Sequence, residues 1–161
     1  MKLLIAIMYS DKEASDKAVD ELKKQFGDID GESSEYDFNF TDYYEKESGK
    51  NLEKRFLSFK KTITNEELSK IRIETAKIED NFKVDGKRTV NIDPGYISNE
   101  GVFMASLKHK PFKEDIGNNV FLHKILGFED DKIIEFNHTF ADYKVKENQE
   151  FFIRLKKDLL N

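Results

Sequence analysis

Lys2-Leu3-Leu4-Ile5-Ala6-Ile7-Met8-Tyr9-Ser10-Asp11-Lys12-Glu13 is the stretch whose reading decides the fold. Residues 3–8 are apolar without a break. A strand with one wet face alternates apolar and polar residues, so an unbroken run predicts a strand covered on both faces. A secretory signal also opens with a charge and an apolar run. This run is too short for one, and Tyr9 to Glu13 stand where a small-residue cleavage site would be. Ser10-Asp11-Lys12-Glu13 then matches a capping box, in which the Ser hydroxyl and the Glu carboxylate satisfy free amides at a helix start. Ala14, Ala18, Val19, Leu22 and Phe26 follow at helical spacing and Gly27 supplies a stop, which predicts a helix over 11–26.

Outward from this unit the periods alternate. Tyr36, Phe38 and Phe40 alternate with polar residues, the period of a half-buried strand, and residues 41–49 read as a loop or one short helical turn. Residues 55–59 suit a strand. Thr64-Asn65-Glu66-Glu67 is a second capping box, and Leu68, Ile71, Thr75, Ile78 and Phe82 behind it form one helical stripe. Residues 88–92 alternate again, and Asp93-Pro94-Gly95-Tyr96 is expected to break that strand with turn chemistry. Residues 102–107, 120–126 and 132–136 are β-like, and Phe152, Leu155 and Leu159 mark a last helix. The order predicts an α+β fold. Its core would be a ferredoxin-like βαββαβ unit, with both helices on one face of an antiparallel sheet. The additional C-terminal antiparallel strands would extend that sheet or curl over its open face before a closing helix. No repeat or linker divides residues 1–161, so a single domain is expected.

Composition narrows the function classes. The chain has 161 residues, 14 Phe and 6 Tyr, too many aromatics for a disordered chain even with 37% charged residues. It has no Cys, which excludes disulfides, thiolate metal sites and cysteine catalysis. A net charge of −5 argues against broad nucleic-acid binding. The basic spots at Lys54-Arg55, Lys60-Lys61, Lys87-Arg88 and Lys108-His109-Lys110 read as solvated surface. No stretch approaches the roughly 20 apolar residues of a membrane span. A soluble, cytoplasmic protein is expected.

Three groups of residues could carry chemistry. Asp42 and Glu45 lie one helical turn apart, and Asp93 ends a predicted strand. Together the three could hold a hard divalent cation such as Mg²⁺ or Mn²⁺ through oxygen ligands, although capping and turn roles are the simpler account of them. Arg55, Arg88 and Lys108 lie at predicted strand ends and could converge on a phosphate or carboxylate, or simply pair with surface acids. Tyr43, Tyr44, Tyr96 and Tyr143 accompany polar segments and could stack on a ligand or close the rim of the core. Asn91 belongs with the candidate ligand-binding set of Asp42, Tyr43, Tyr44, Arg55, Arg88, Asp93 and Tyr96. His109, His123 and His138 show no zinc-binding spacing, no Gly-x-Ser-x-Gly surrounds Ser10 or Ser58, and no P-loop follows a strand. Nothing points to haem, flavin or NAD. The expectation is a protein that binds or acts on a small anionic or phosphorylated molecule, with a non-enzymatic interaction module as the alternative. Neither a reaction type nor an oligomeric state can be read from these residues.

Four segments carry a family resemblance: residues 2–10, Phe38-Asn39-Phe40-Thr41-Asp42-Tyr43-Tyr44-Glu45, Lys54-Arg55-Phe56-Leu57-Ser58-Phe59, and residues 88–96 with their Asp-Pro-Gly-Tyr. Together they resemble the prokaryotic family known as domain of unknown function 4416 (DUF4416). The resemblance implies one small domain and no settled activity. It also implies a His-Arg pair where Phe112-Lys113 stand here, an acid near His123 and a Trp near His138. A role carried by that pair in relatives would be altered in this chain. Thr139-Phe140-Ala141-Asp142-Tyr143 keeps the family-like ending.

Overall fold

β1 (Lys2–Tyr9) runs through the interior of a sheet, and its alternation explains its unbroken hydrophobicity. Leu3, Ile5, Ile7 and Tyr9 are buried on one face, while Leu4 and Ala6 are buried on the other. The computed structural model describes residues 1–41, 48 and 51–161. Among these, α1 (Lys12–Phe26), β2 (Ile29–Glu32), β3 (Tyr36–Asp37), β4 (Glu53–Thr62), α2 (Asn65–Asn81), β5 (Val90–Ser98) and β6 (Gly101–Ser106) follow β1. Then come β7 (Glu114–Asp115), β8 (Phe121–Glu129), β9 (Lys132–Glu135), a 3₁₀ turn (Ala141–Lys144) and α3 (Lys146–Leu159). The nine strands form one sheet in the order β2-β4-β1-β5-β6-β8-β7, with β3 also on β4 and β9 also on β8. Every pairing is antiparallel.

α1 and α2 cover the face of Ile5 and Ile7 through Ala18, Leu22, Leu68, Ile71 and Ile78. The 3₁₀ turn and α3 cover the opposite face through Tyr143, Phe151, Phe152 and Leu155. The later strands therefore extend the sheet, and the closing helix caps its second face. Phe56, Tyr143 and Phe152 form the centre of that second layer, with ring centroids 5.0–5.8 Å apart. Each such ring contributes about 1.5–3 kcal/mol by burial.

A buried ion pair pins this layer. Lys54 Nζ lies 2.7 Å from Asp142 Oδ2, and both side chains are almost fully enclosed. The Tyr36 hydroxyl donates to the same carboxylate at 2.7 Å, and the ammonium stands over the rings of Phe38, Phe56 and Tyr143. Burial and the Asp142 charge push the Tyr36 phenol well above its ordinary value, so it stays a donor. Asn148 Nδ2 donates to the Asp142 carbonyl and fixes the start of α3.

Four local expectations need correction. The cap of α1 is Asp11, whose carboxylate accepts from Glu13 N and Ala14 N. Ser10 instead donates its backbone amide to Thr89 O, and a charged carboxylate gains more from the helix dipole than a hydroxyl would. β2 gave no strand pattern because Ile-Asp-Gly-Glu is poor in β-formers. Gly31 lies close to β4 and α3, where a Cβ would meet Ser58 Oγ at 2.6 Å and Leu155 Cδ2 at 3.3 Å and push those side chains aside. β3 is two residues long rather than a strand over 36–40.

The fourth correction bears on the site. Asp93-Pro94-Gly95-Tyr96 does not turn. It lies in the middle of β5, paired with Ala6, Ile5, Leu4 and Leu3. Ile92 N–H points away from β1, because it donates elsewhere, to Glu79. Pro94 has the same orientation two residues on, so its missing N–H falls on an unpaired edge, where proline is tolerated. At Gly95 a Cβ would lie 2.1 Å from Phe103 O and 2.9 Å from Met104 Cα, so only glycine lets β6 approach.

Two stability measurements follow. Asp142→Ala leaves Lys54 buried without its carboxylate and should cost about 3–5 kcal/mol in chemical denaturation, much of it recovered in Lys54→Met/Asp142→Leu. Equal losses in the single and double variants would contradict this reading. Gly95→Ala should cost about 2–3 kcal/mol by forcing β6 away, and a neutral result would remove the close-approach argument.

Candidate functional site

β5 and β6 are paired only along part of their length. Their ladder joins Gly95 through Ser98 to Met104 through Gly101 and stops there. β5 continues on β1 back to Val90, and β6 continues on β8 to Ser106. The sheet is therefore split above Gly95 and Met104, and Asn91 and Asp93 on β5 share its α3 face with Ser106 on β6.

The β5 lip is polar and tightly connected. Arg88 Nη1 donates to Asn91 Oδ1 at 3.3 Å, and Asn91 Nδ2 donates to Asp93 Oδ2 at 2.9 Å. Asn91 and Asp93 pair with Met8 and Ala6, which places them on the α3 face of the sheet. From the other layer, Glu79 of α2 reaches the same edge. Its Oε1 accepts the Ile92 N–H at 2.8 Å, and its Oε2 lies 3.7 Å from Arg88 Nε. The Glu79 carboxyl is 1% exposed. Burial first, and then the Asp93 charge, push it up to about 7, against the lowering effects of the Ile92 amide, Arg72 and Arg88. It is thus poised to hold or release a proton near neutrality.

The β6 lip is cationic and aromatic. Lys113 Nζ donates to Ser106 Oγ at 3.0 Å and to Lys108 O at 3.2 Å. Burial, together with the charges of Lys108 and Lys110, holds the Lys113 ammonium below its usual range. Three like charges gathered around one loop favour an anion among them. Beneath them lies His123, paired across to Met104 on the α3 face. Burial first, and then the charges of Lys113 and His138, push its imidazole down to about 4, so the ring is neutral. Phe112, His123 and His138 meet with centroids 4.6–5.2 Å apart.

Of the residues singled out by sequence, Arg88, Asn91 and Asp93 come together on one lip, and Lys108 stands at the other. Arg55 and Tyr96 do not join them. Arg55 pairs across to Ile7 on the α1 face, among Asp16, Glu32 and Glu35 at 3.6–3.7 Å. Tyr96 stacks on Phe103, centroids 4.8 Å apart, in that same layer. Tyr143 is a core residue. Asp42, Tyr43, Tyr44 and Glu45 lie outside the described residues. Among the described residues no three His, Asp or Glu side chains gather as metal ligands.

Glu79 and Ser106 were missed by the sequence reading, and Lys113 and His123 were noted only against the family resemblance and for lack of zinc spacing, not as site residues. Glu79 follows Leu68, Arg72 and Thr75 at helical spacing, so a carboxylate on a buried stripe was legible. Lys113 and His123 are far apart in sequence and carried no such pattern. Two shallow grooves also run along α3, one past Gly31 and Leu155, the other past Ile133 and Ile153. Neither holds a residue singled out by sequence.

The whole chain was then compared with known proteins. A family model described as "Domain of unknown function (DUF4416)" matches residues 1–159. The chain belongs to the DUF4416 family. No curated protein and no solved structure matches it. Phe112, His123 and His138 converge beside the β6 lip, with Lys113 next in sequence to Phe112.

The Glu79 environment gives a pH prediction. Its carboxyl titrates near 7 in the folded chain and near 4.3 when unfolded. The group therefore favours folding fully below about pH 4 and loses that contribution as pH rises through 7, by up to about 4 kcal/mol. Glu79→Gln keeps the Ile92 acceptor without the charge. Its Tm should match the parent near pH 4 and exceed it near pH 8. A difference independent of pH would contradict the assignment.

Proposed function

We propose that the split between β5 and β6 binds a small anionic molecule, phosphorylated or carboxylated, with Lys113 as its principal charge partner. The observation that carries this reading is the gathering of Lys108, Lys110 and Lys113 around Ser106, opposite the hydrogen-bonded Arg88–Asn91–Asp93 chain. A cationic lip supplies charge for an anion. The opposite lip supplies acceptors for a ligand's hydroxyl groups, or one carboxylate towards Mg²⁺ or Mn²⁺, whose other proposed ligands would be Asp42 and Glu45. Glu79, with a carboxyl near neutrality at the same edge, gives the site a group able to transfer a proton if the bound molecule is a substrate.

The scaffold belongs to the same proposal. The strand order β2-β4-β1-β5, antiparallel throughout and crossed by α1 and α2 on one face, supports a ferredoxin-like core for a single domain. No helix among the described residues is long and apolar enough to cross a membrane. We take the protein to work in the cytoplasm.

One observation favours a second reading as an interaction module. Phe40, Leu107, Phe112 and Phe140 are each at least 40% exposed, and exposed aromatic groups of this kind often meet a partner.

A thermal-shift screen against phosphorylated metabolites, with and without Mg²⁺ or Mn²⁺, separates the two. Ligand at about 100 times its Kd should raise Tm by about 5 °C or more. Lys113→Ala should abolish the rise, and Asp93→Asn should remove any metal-dependent part while leaving the apo Tm nearly unchanged. A flat screen would overturn the anion reading in favour of the interaction module.

A further inference from the structure

His123 is the one buried imidazole of the chain, 3% exposed, and its Nε2 has no hydrogen-bond partner. A buried polar atom without a partner is rare and calls for an explanation such as a displaced water or a ligand. The ring is ringed by others. Phe112, His138 and Phe140 stand around it with centroids at 5.2, 4.9 and 5.3 Å. His138 is held in place, stacked between Phe112 and Phe136 at 4.6 and 5.2 Å, with Nε2 2.9 Å from Lys124 O. That nitrogen is therefore the donor, and the bond directs it to Lys124 rather than to His123.

Phe112 and Phe140 are not closed over. They are 52% and 50% exposed, so the His123 ring lies between two aromatic side chains that are half in solvent. Two such faces beside one buried polar atom offer a ligand ring a stacking surface. The residue after Phe112 is Lys113, whose ammonium lies close enough to His123 to depress its protonation. A ring seat and a cationic anchor are thus adjacent residues on one loop.

We infer that this corner seats a small aromatic acid, its ring stacked against Phe112 and Phe140 over His123 and its carboxylate or phosphate on Lys113. The inference rests on the anionic-ligand reading above and narrows it to a ligand class. Aromatic faces supply offset-stacked or edge-to-face contacts, the buried His123 Nε2 beneath them is the unpartnered atom that a ring substituent inserted between the rings would satisfy, and Lys113 with Ser106 supplies the anion contact. The alternative, an incompletely packed corner of the core, gives the same rings but no preference for an aromatic acid over a plain anion.

The test is calorimetric titration with phenyl phosphate and, separately, inorganic phosphate, at the same pH and ionic strength. Phenyl phosphate should bind at least tenfold more tightly to the parent protein, and Phe112→Ala should bring that ratio close to one. His123→Phe should raise the apo Tm, since it removes the unpartnered nitrogen, yet weaken phenyl phosphate binding. A merely structural histidine would give the first effect without the second. Equal affinity for the two probes would overturn the aromatic seat and leave the anion site standing. Absence of binding by both would overturn the anion reading and this inference with it.

Discussion

The structure depends on covering both faces of β1. Its residues alternate into two cores, Ile5 and Ile7 towards α1 and α2, Leu4 and Ala6 towards α3. A single helical layer would leave Leu4, Phe56 and Met104 in water, at a cost of about 1.5–3 kcal/mol for each large side chain. The C-terminal third supplies the second layer. The Lys54–Asp142 pair and the Phe56–Tyr143–Phe152 rings then hold α3 against the sheet. Charge is buried here only because the lysine has a carboxylate, and the carboxylate has a tyrosine hydroxyl, within hydrogen-bonding distance.

The site arises where this covering fails to close. β5 stays on β1 over its whole length, whereas β6 leaves β5 at Gly95 to follow β8. An opened ladder exposes backbone amides that must be satisfied. Ile92 is satisfied by Glu79, which brings a carboxyl into the interior, and Pro94 has no amide to satisfy. Along this part of β5 and β6, polar residues (Asn91, Asp93 and Ser106) take over from aliphatic ones. Catalytic or binding groups on such a split are supported from both layers, which fixes their positions better than a free loop would.

Much of the scaffold was legible in the sequence and most of the site was not. The two-sided strand, the Thr64 capping box and the apolar stripes of α1 and α2 are local patterns, and each is found where the periodicity places it. β2 escaped because its strand character comes from pairing and from the close approach of Gly31, not from propensity. The Asp-Pro-Gly segment misled because turn chemistry describes an isolated peptide. In β5 the same proline falls on the one edge that has no partner. For the site, Arg88, Asn91 and Asp93 are close in sequence and were found together. Arg55 lies in a stretch of the same character, yet the two-residue period of β4 sends it to the opposite face. Lys113, His123 and His138 meet only through the pairing of β6 and β8 and the return of the chain after β9, which no local pattern encodes.

The central claim is that the β5–β6 split is where an anion binds. The most direct measurement is a heteronuclear NMR titration with inorganic phosphate. The account predicts saturable shifts at Ser106, Lys108 and Lys113, extending to Asn91 and Asp93 on the facing lip. Arg55 and Lys60, on the other side of β4 and at its far end, should not move. Shifts centred on Arg55 or Lys60, or scattered evenly over surface lysines, would contradict it.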